Sequence, residues 1–158
     1  MAVFAGTDIL LADGSAVKVE TKPVGKIAKT RLTTSKIISV KQVVSIKKSV
    51  SKYSFETAGH QGIRGGIVEV TSSTKLWWRL NSGSGTGSYK AANLINEGEQ
   101  IWTFGGLGIG SGPSPGWDVL IRKKVDEVTV IGVFTRFFAV QLFSGQGFYA
   151  NGIFVGAD

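Results

Sequence analysis

Apolar residues recur along this chain at intervals of two, in short runs separated by glycine-rich turns. Ile38, Val40, Gln42, Val44 and Ile46 alternate with Ser39, Lys41, Val43, Ser45 and Lys47, the pattern of a strand with one buried face and one wet, basic face. Shorter runs of the same kind occupy 8–12, 15–20, 53–57, 66–71, 75–80, 99–104, 117–121, 128–134, 137–143 and 149–155. Asp13-Gly14, Asn151-Gly152, Gly65-Gly66 and the stretch NSGSGTGS at 81–88 accept positive φ and close hairpins between them. The one helix candidate is SYKAANLIN, about two turns long. The segment GGLGIGSGPSPG at 105–116 holds too many glycines and prolines for a regular element and is expected to be a surface loop. No segment recurs at a fixed period and no linker divides the chain. Residues 1–158 are therefore expected to form a single all-β domain of many short, mostly antiparallel strands with at most one short helix.

Composition narrows the function classes. A chain of 158 residues with 42% hydrophobic and 18% charged residues can bury a core without disulfides or metals. It has no cysteine, which excludes thiol nucleophiles and thiolate metal sites. His60 is the only imidazole and stands in the glycine-rich setting TAGHQGIRGG, with no G-x-S-x-G elsewhere, so no hydrolase triad and no histidine metal site can be assembled. No metal and no cofactor are expected. No apolar run reaches the roughly 20 residues a membrane span needs, and no basic region precedes the apolar N-terminus, so a soluble protein is expected.

The net charge of +7 is concentrated between Lys18 and Lys52, where ten Lys or Arg face one acid, Glu20. Lys41 and Lys47 lie on the wet side of the predicted strand and, with Lys36 and Lys48, form the candidate basic face. A phosphate backbone could follow such a face, yet Tyr53 is the only aromatic nearby, and single-strand binders use a series of stacking rings. An acidic protein partner fits at least as well, and a lysine face that discourages edge pairing fits equally.

Trp77 and Trp78 are neighbours on one predicted strand and must point to opposite faces, so one is expected in the core and the other at an interface. Leu107 and Ile109, the large apolar residues of the 105–116 loop, are the matching contact candidates. The expected partners are other protein chains, including further copies of this one.

The order of these segments resembles the Hint domains of inteins and hedgehog-type autoprocessing proteins. AVFAGTDILLADG is similar to their opening block, Cys-Phe-x-x-Gly-Thr followed by an apolar pair and Ala-Asp-Gly. GGIVEVTSSTKLWW resembles their second block, SYKAANLINEGEQIW the stretch after it, and FFAVQLFSGQGFYANGIFVGAD the closing blocks. The resemblance implies a Hint-like horseshoe of strands. It also implies that the reactive positions are degenerate. Ala2 stands where the family has its first nucleophile, Thr74 at the second-block histidine, Gln141 at the closing-block aspartate, and Gly156 and Ala157 at the terminal His-Asn pair. A methyl group cannot attack a carbonyl, and a hydroxyl does not titrate near neutral pH.

Alanine replacement in the laboratory would account for Ala2 and Ala157 but not for Thr74, Gln141 and Gly156, so the loss is expected to be native to the sequence. With only Met1 before Ala2 and only Asp158 after Ala157, no flanking segments are expected to be joined. The sequence thus reads as a non-enzymatic structural or protein-binding module, with a bacteriophage virion component (tail, baseplate or capsid decoration) as its setting. The alternatives are an inactivated intein-type autoprocessing domain and a basic nucleic-acid-binding domain.

Overall fold

The computed structural model describes residues 1–43, 48–57, 66–80, 87–108, 112–130, 137–144 and 146–157. Fourteen strands follow one another: β1 (Val3–Phe4), β2 (Asp8–Leu10), β3 (Ala16–Lys18), β4 (Ile27–Lys29), β5 (Thr34–Gln42), β6 (Lys48–Thr57) and β7 (Ile67–Thr71). The second series is β8 (Lys75–Arg79), β9 (Ser88–Ala91), β10 (Gln100–Gly108), β11 (Gly112–Val130), β12 (Phe137–Leu142), β13 (Gly147–Ala150) and β14 (Ile153–Gly156). The helical elements described are single 3₁₀ turns at Val19–Thr21 and Ala92–Leu94. Every strand pairing described is antiparallel, and one hydrogen-bonded path runs β3-β2-β13-β14-β8-β10-β11-β6-β7-β1-β12-β5-β4, with β9 joined to β8. The all-β reading of the sequence holds.

A repeat organises this path. Val19 N–H donates to Thr7 O at 2.9 Å, as Ala92 N–H does to Thr74 O at 2.9 Å. Gly25 N–H donates to Ile37 O, and Gly98 N–H to Leu120 O; Ile37 N–H returns to Lys26 O, and Leu120 N–H to Glu99 O. Gly25 and Gly98 both have positive φ, 89° and 84°, a conformation that costs glycine nothing. β1–β5 and β7–β11 are thus two copies of one unit. The halves also exchange closing strands: β6 follows β5 but pairs with β11, and β12 follows β11 but pairs with β5. The expectation of no repeat holds only for a fixed period. Thr7 and Thr74 are 67 residues apart, whereas Ile37 and Leu120 are 83 apart, because the connecting segments differ in length.

Four local expectations are corrected. Ile38, placed on the buried side by alternation, is 41% exposed: β5 carries an extra residue opposite the Gln141/Leu142 step of β12, and this bulge moves Ser35 and Ile37 to the buried side on one flank and Val40 on the other. SYKAANLIN is not a helix; Ser88–Ala91 pairs with Lys75–Trp78 of β8, and only Ala92–Leu94 turns. The predicted strands at 117–121 and 128–134 join through 122–127 as far as Val130, because β6 supplies ladder partners from Thr57 to Lys48. The 105–116 segment is no irregular loop in its described part. β10 and β11 continue into it as a hairpin, pairing Phe104 with Pro115 and Leu107 with Pro113 across a register shift, and a two-stranded ribbon has a free edge that tolerates proline.

One main core fills the interior with Val3, Ile9, Ile37, Phe55, Leu76, Ile101, Phe148 and Val155 among its fully buried members. Phe137 and Phe138, adjacent on β12, are both buried on opposite faces: Phe138 enters this core, and Phe137 packs with Ala2, Phe4 and Val50. A third cluster joins Trp102, Tyr149 and Phe154 on the other side of β14, with the Trp102 indole donating to Tyr149 Oη at 2.7 Å. The predicted Asn151-Gly152 turn forms, with φ of 49° and 83°, and folds β13 onto β14. Backbones approach so closely there that a Cβ on Gly147 would lie 2.2 Å from Val155 O. Gly147→Ala should therefore destabilise the domain by about 1–3 kcal/mol, measured as a lower urea midpoint with an unchanged slope.

Candidate functional site

The two ends of the chain meet at the turn between β7 and β8. Thr71 closes β7, and Thr74 N–H returns to Thr71 O at 3.0 Å, which turns the chain into β8. Thr74 is fully buried and Ala2 is 3% exposed. The Thr74 hydroxyl accepts from Ala2 N–H at 2.9 Å and donates to Ala2 O at 3.1 Å. With its one proton so placed, its 2.9 Å contact with the Thr71 hydroxyl has Thr71 as donor. Ala2 O also accepts Thr71 N–H at 3.1 Å, and Thr74 O accepts Ala92 N–H. Each polar group is satisfied by a neutral partner, without a group that exchanges protons near pH 7.

β14 brings the C-terminal residues to the same turn. Val155 pairs with Leu76, and the same antiparallel register carried on sets Gly156 beside Lys75 and Ala157 across from Thr74. A Cβ on Gly156 would lie 3.3 Å from Tyr89 Cε1 and 3.4 Å from Lys75 O, so a larger side chain needs Tyr89 to yield. Ala157 N–H donates to Gln146 O at 2.9 Å, and its methyl packs on the main core. Ala2, Thr74, Gly156 and Ala157 are therefore gathered. Gln141 is not. It is exposed on β12 opposite Ser39, although the adjacent Val140 lies beside Met1 through a 3.5 Å contact to its sulfur.

Trp77 and Trp78 point to opposite faces, as adjacent strand residues must, and both are half-buried within the chain. Trp77 joins the Trp102–Tyr149–Phe154 cluster, edge-on to Tyr89 at 5.0 Å and with the Arg31 guanidinium 4.3 Å from its ring centroid. Trp78 packs against the main core, with Lys90 Nζ 4.0 Å over its ring and its indole N–H donating to Glu99. Glu99 was not a candidate in the sequence. Burial pushes its carboxyl up, but hydrogen bonds from Asn96 N–H, Trp78 and Lys90 outweigh this and hold it below its ordinary value of 4.5. Of the other candidates, Lys36 and Lys41 are exposed on β5. Lys47, Ile109 and His60, with the side chains of Lys48 and Leu107, lie outside the described residues.

Two outcomes follow from these contacts. Thr74→Val keeps the shape of the side chain and strands the buried Ala2 N–H, so it should cost about 1–3 kcal/mol of unfolding free energy in denaturant titration. A carboxyl held low in the folded state adds stability above its unfolded value, and that stability is lost as the pH falls from 4.5 through the lower folded value. Melting temperature should accordingly fall more steeply below pH 4.5 in the parent than in Glu99→Gln. Asp13, held low by the Ser15 hydroxyl, and Glu127, held low by Ser49, shift the same way in both proteins, so the difference reports Glu99.

No protein-family model and no curated protein matches the chain. Solved structures do. The DnaB intein from Synechocystis sp. PCC 6803 superposes with a TM-score of 0.67 at 19% identity, covering 100% of this chain and 99% of the intein. The PabCDC21-1 intein gives 0.67 at 19% identity, with 99% and 98% covered, and the gp41-1 intein 0.66 at 12%, also with 99% and 98% covered. This chain has the Hint-type fold of the mini-inteins.

Proposed function

We propose that this chain is an inactivated Hint-type domain, one that performs neither splicing nor cleavage and works as a structural, protein-binding module. The observation that carries this reading is the Thr74 hydroxyl bonded to both polar groups of buried Ala2. Cleavage at this corner needs a nucleophile at position 2 to attack the Met1 carbonyl, and a proton donor for the amide nitrogen that leaves. Ala2 offers a methyl group. Toward the Ala2 nitrogen Thr74 presents an acceptor, where a donor is required. The methyl of Ala157 leaves the C-terminal side without a side-chain amide, and Tyr89 and Lys75 crowd the position of Gly156.

The similar structures named above are all inteins, which favours an intein-derived domain over the narrower setting of a bacteriophage particle. The helical elements described are single 3₁₀ turns, and among the described residues no helix is long and apolar enough to cross a membrane.

The test is a fusion of the chain between two reporter segments, incubated with and without an added thiol. The parent should give no splicing and no cleavage. Ala2→Cys together with Thr74→His should give thiol-dependent cleavage at position 2, and Ala2→Cys alone should be slower by about 10²–10⁴, the usual worth of a positioned proton donor. Processing by the parent chain would contradict the proposal.

A further inference from the structure

The surface most at odds with a free-standing domain is the outer face of β5, where large apolar side chains and unpaired cations lie side by side. Ile27 is directly opposite Lys36 in the β4–β5 pairing, and the bulge turns Ile38 outward; they are 43% and 41% exposed. Phe143 follows β12, its N–H donates to Lys36 O at 2.9 Å, and it is 81% exposed. Lys36 and Lys41 are exposed on the same strand. Among the described residues, no acid reaches ion-pair distance of Lys36 or Lys41; elsewhere, Lys18, Lys52 and Lys90 each meet a carboxylate. Three large apolar groups are thus set beside Lys36 and Lys41, which meet no acid among the described residues.

We infer that this face binds an acidic segment of another protein, one in which apolar side chains alternate with Asp or Glu. The inference rests on the reading of the chain as a binding module, and it does not require the loss of chemistry. Charge complementarity selects an anionic partner. The arrangement of the apolar groups then selects among anions. Interfacial membrane binders push apolar groups ahead of their cations into the lipid, whereas Ile27 and Ile38 lie on strands at the level of the lysines. Single-stranded nucleic acid is held by successive aromatic rings, and among the described residues Phe143 is the one ring on this face. An extended segment with period-two alternation would set its apolar residues on Ile27, Ile38 and Phe143 and its carboxylates on Lys36 and Lys41.

The test uses the full chain and three probes: a synthetic peptide of alternating Asp and Leu, vesicles of phosphatidylserine and phosphatidylcholine, and a single-stranded oligonucleotide. The peptide should bind more tightly than the other two, and weaken as salt is raised. Lys36→Glu with Lys41→Glu should lower its affinity by about tenfold or more, and Phe143→Ser should do so without removing the salt dependence, each with an unchanged melting temperature. Tighter binding of vesicles or oligonucleotide, or peptide affinity indifferent to these substitutions, overturns the inference. Peptide bound elsewhere on the chain would leave the module reading standing while this surface fails. Processing of the reporter fusion, a separate readout, would instead remove the module reading.

Discussion

The hydroxyl of Thr74 is the point at which both ends of the chain and both halves of the fold are joined. It ties the first residues to the β7–β8 turn, while the Thr74 carbonyl receives Ala92 from the 3₁₀ turn of the second half, and β14 closes over it from the C-terminal side. A buried peptide group whose N–H or C=O lacks a partner costs about 1–3 kcal/mol, so a strand as short as β1 depends on such a partner to stay in place. In the first half the Thr7 hydroxyl donates to Phe4 O within its own turn at 2.6 Å. Thr74 makes the same turn with its backbone and uses its hydroxyl to reach 72 residues along the chain to Ala2. The repeat supplies the turn, and one side chain converts it into a junction.

That junction shows how this corner of the fold closes without a titrating group. What closes the corner is a set of geometric demands: a donor and an acceptor for Ala2, ladder partners for β1 and β14, and room for close backbones at Gly147 and Gly156. None of these demands needs a titrating group. Threonine meets the hydrogen-bonding ones, and a methyl at position 2 packs with Phe137 in its own small cluster. At this corner the domain keeps its architecture on neutral hydrogen bonds and apolar packing.

Much of this was legible in the sequence. Period-two alternation located the strands, and the Asn151-Gly152 pair announced its turn because both residues accept positive φ. The opening, second and closing blocks pointed to the fold, and they named Ala2, Thr74, Gln141, Gly156 and Ala157 as the degenerate positions, of which Gln141 lies apart on β12. What stayed hidden depended on partners distant in the chain. The bulge that exposes Ile38 is set by β12, about a hundred residues on, and the continuity of β11 by the length of β6. The repeat is faint in the sequence because its halves share hydrogen bonds but few residues beyond Thr7/Thr74 and Gly25/Gly98, at unequal spacing. Alternation showed that Trp77 and Trp78 diverge, but it carried no sign of Arg31, Lys90 or Glu99, which cover them from other strands and turns.

The claim on which all of this rests is that Ala2 is held by Thr74 as firmly as the core is held together. Native-state hydrogen exchange at the Ala2 amide measures it directly. The account predicts protection within about tenfold of core amides such as Val155, because releasing Ala2 requires the β1–β7–β8 corner to open. Exchange at the rate of an unstructured terminus, with the core still protected, would contradict it.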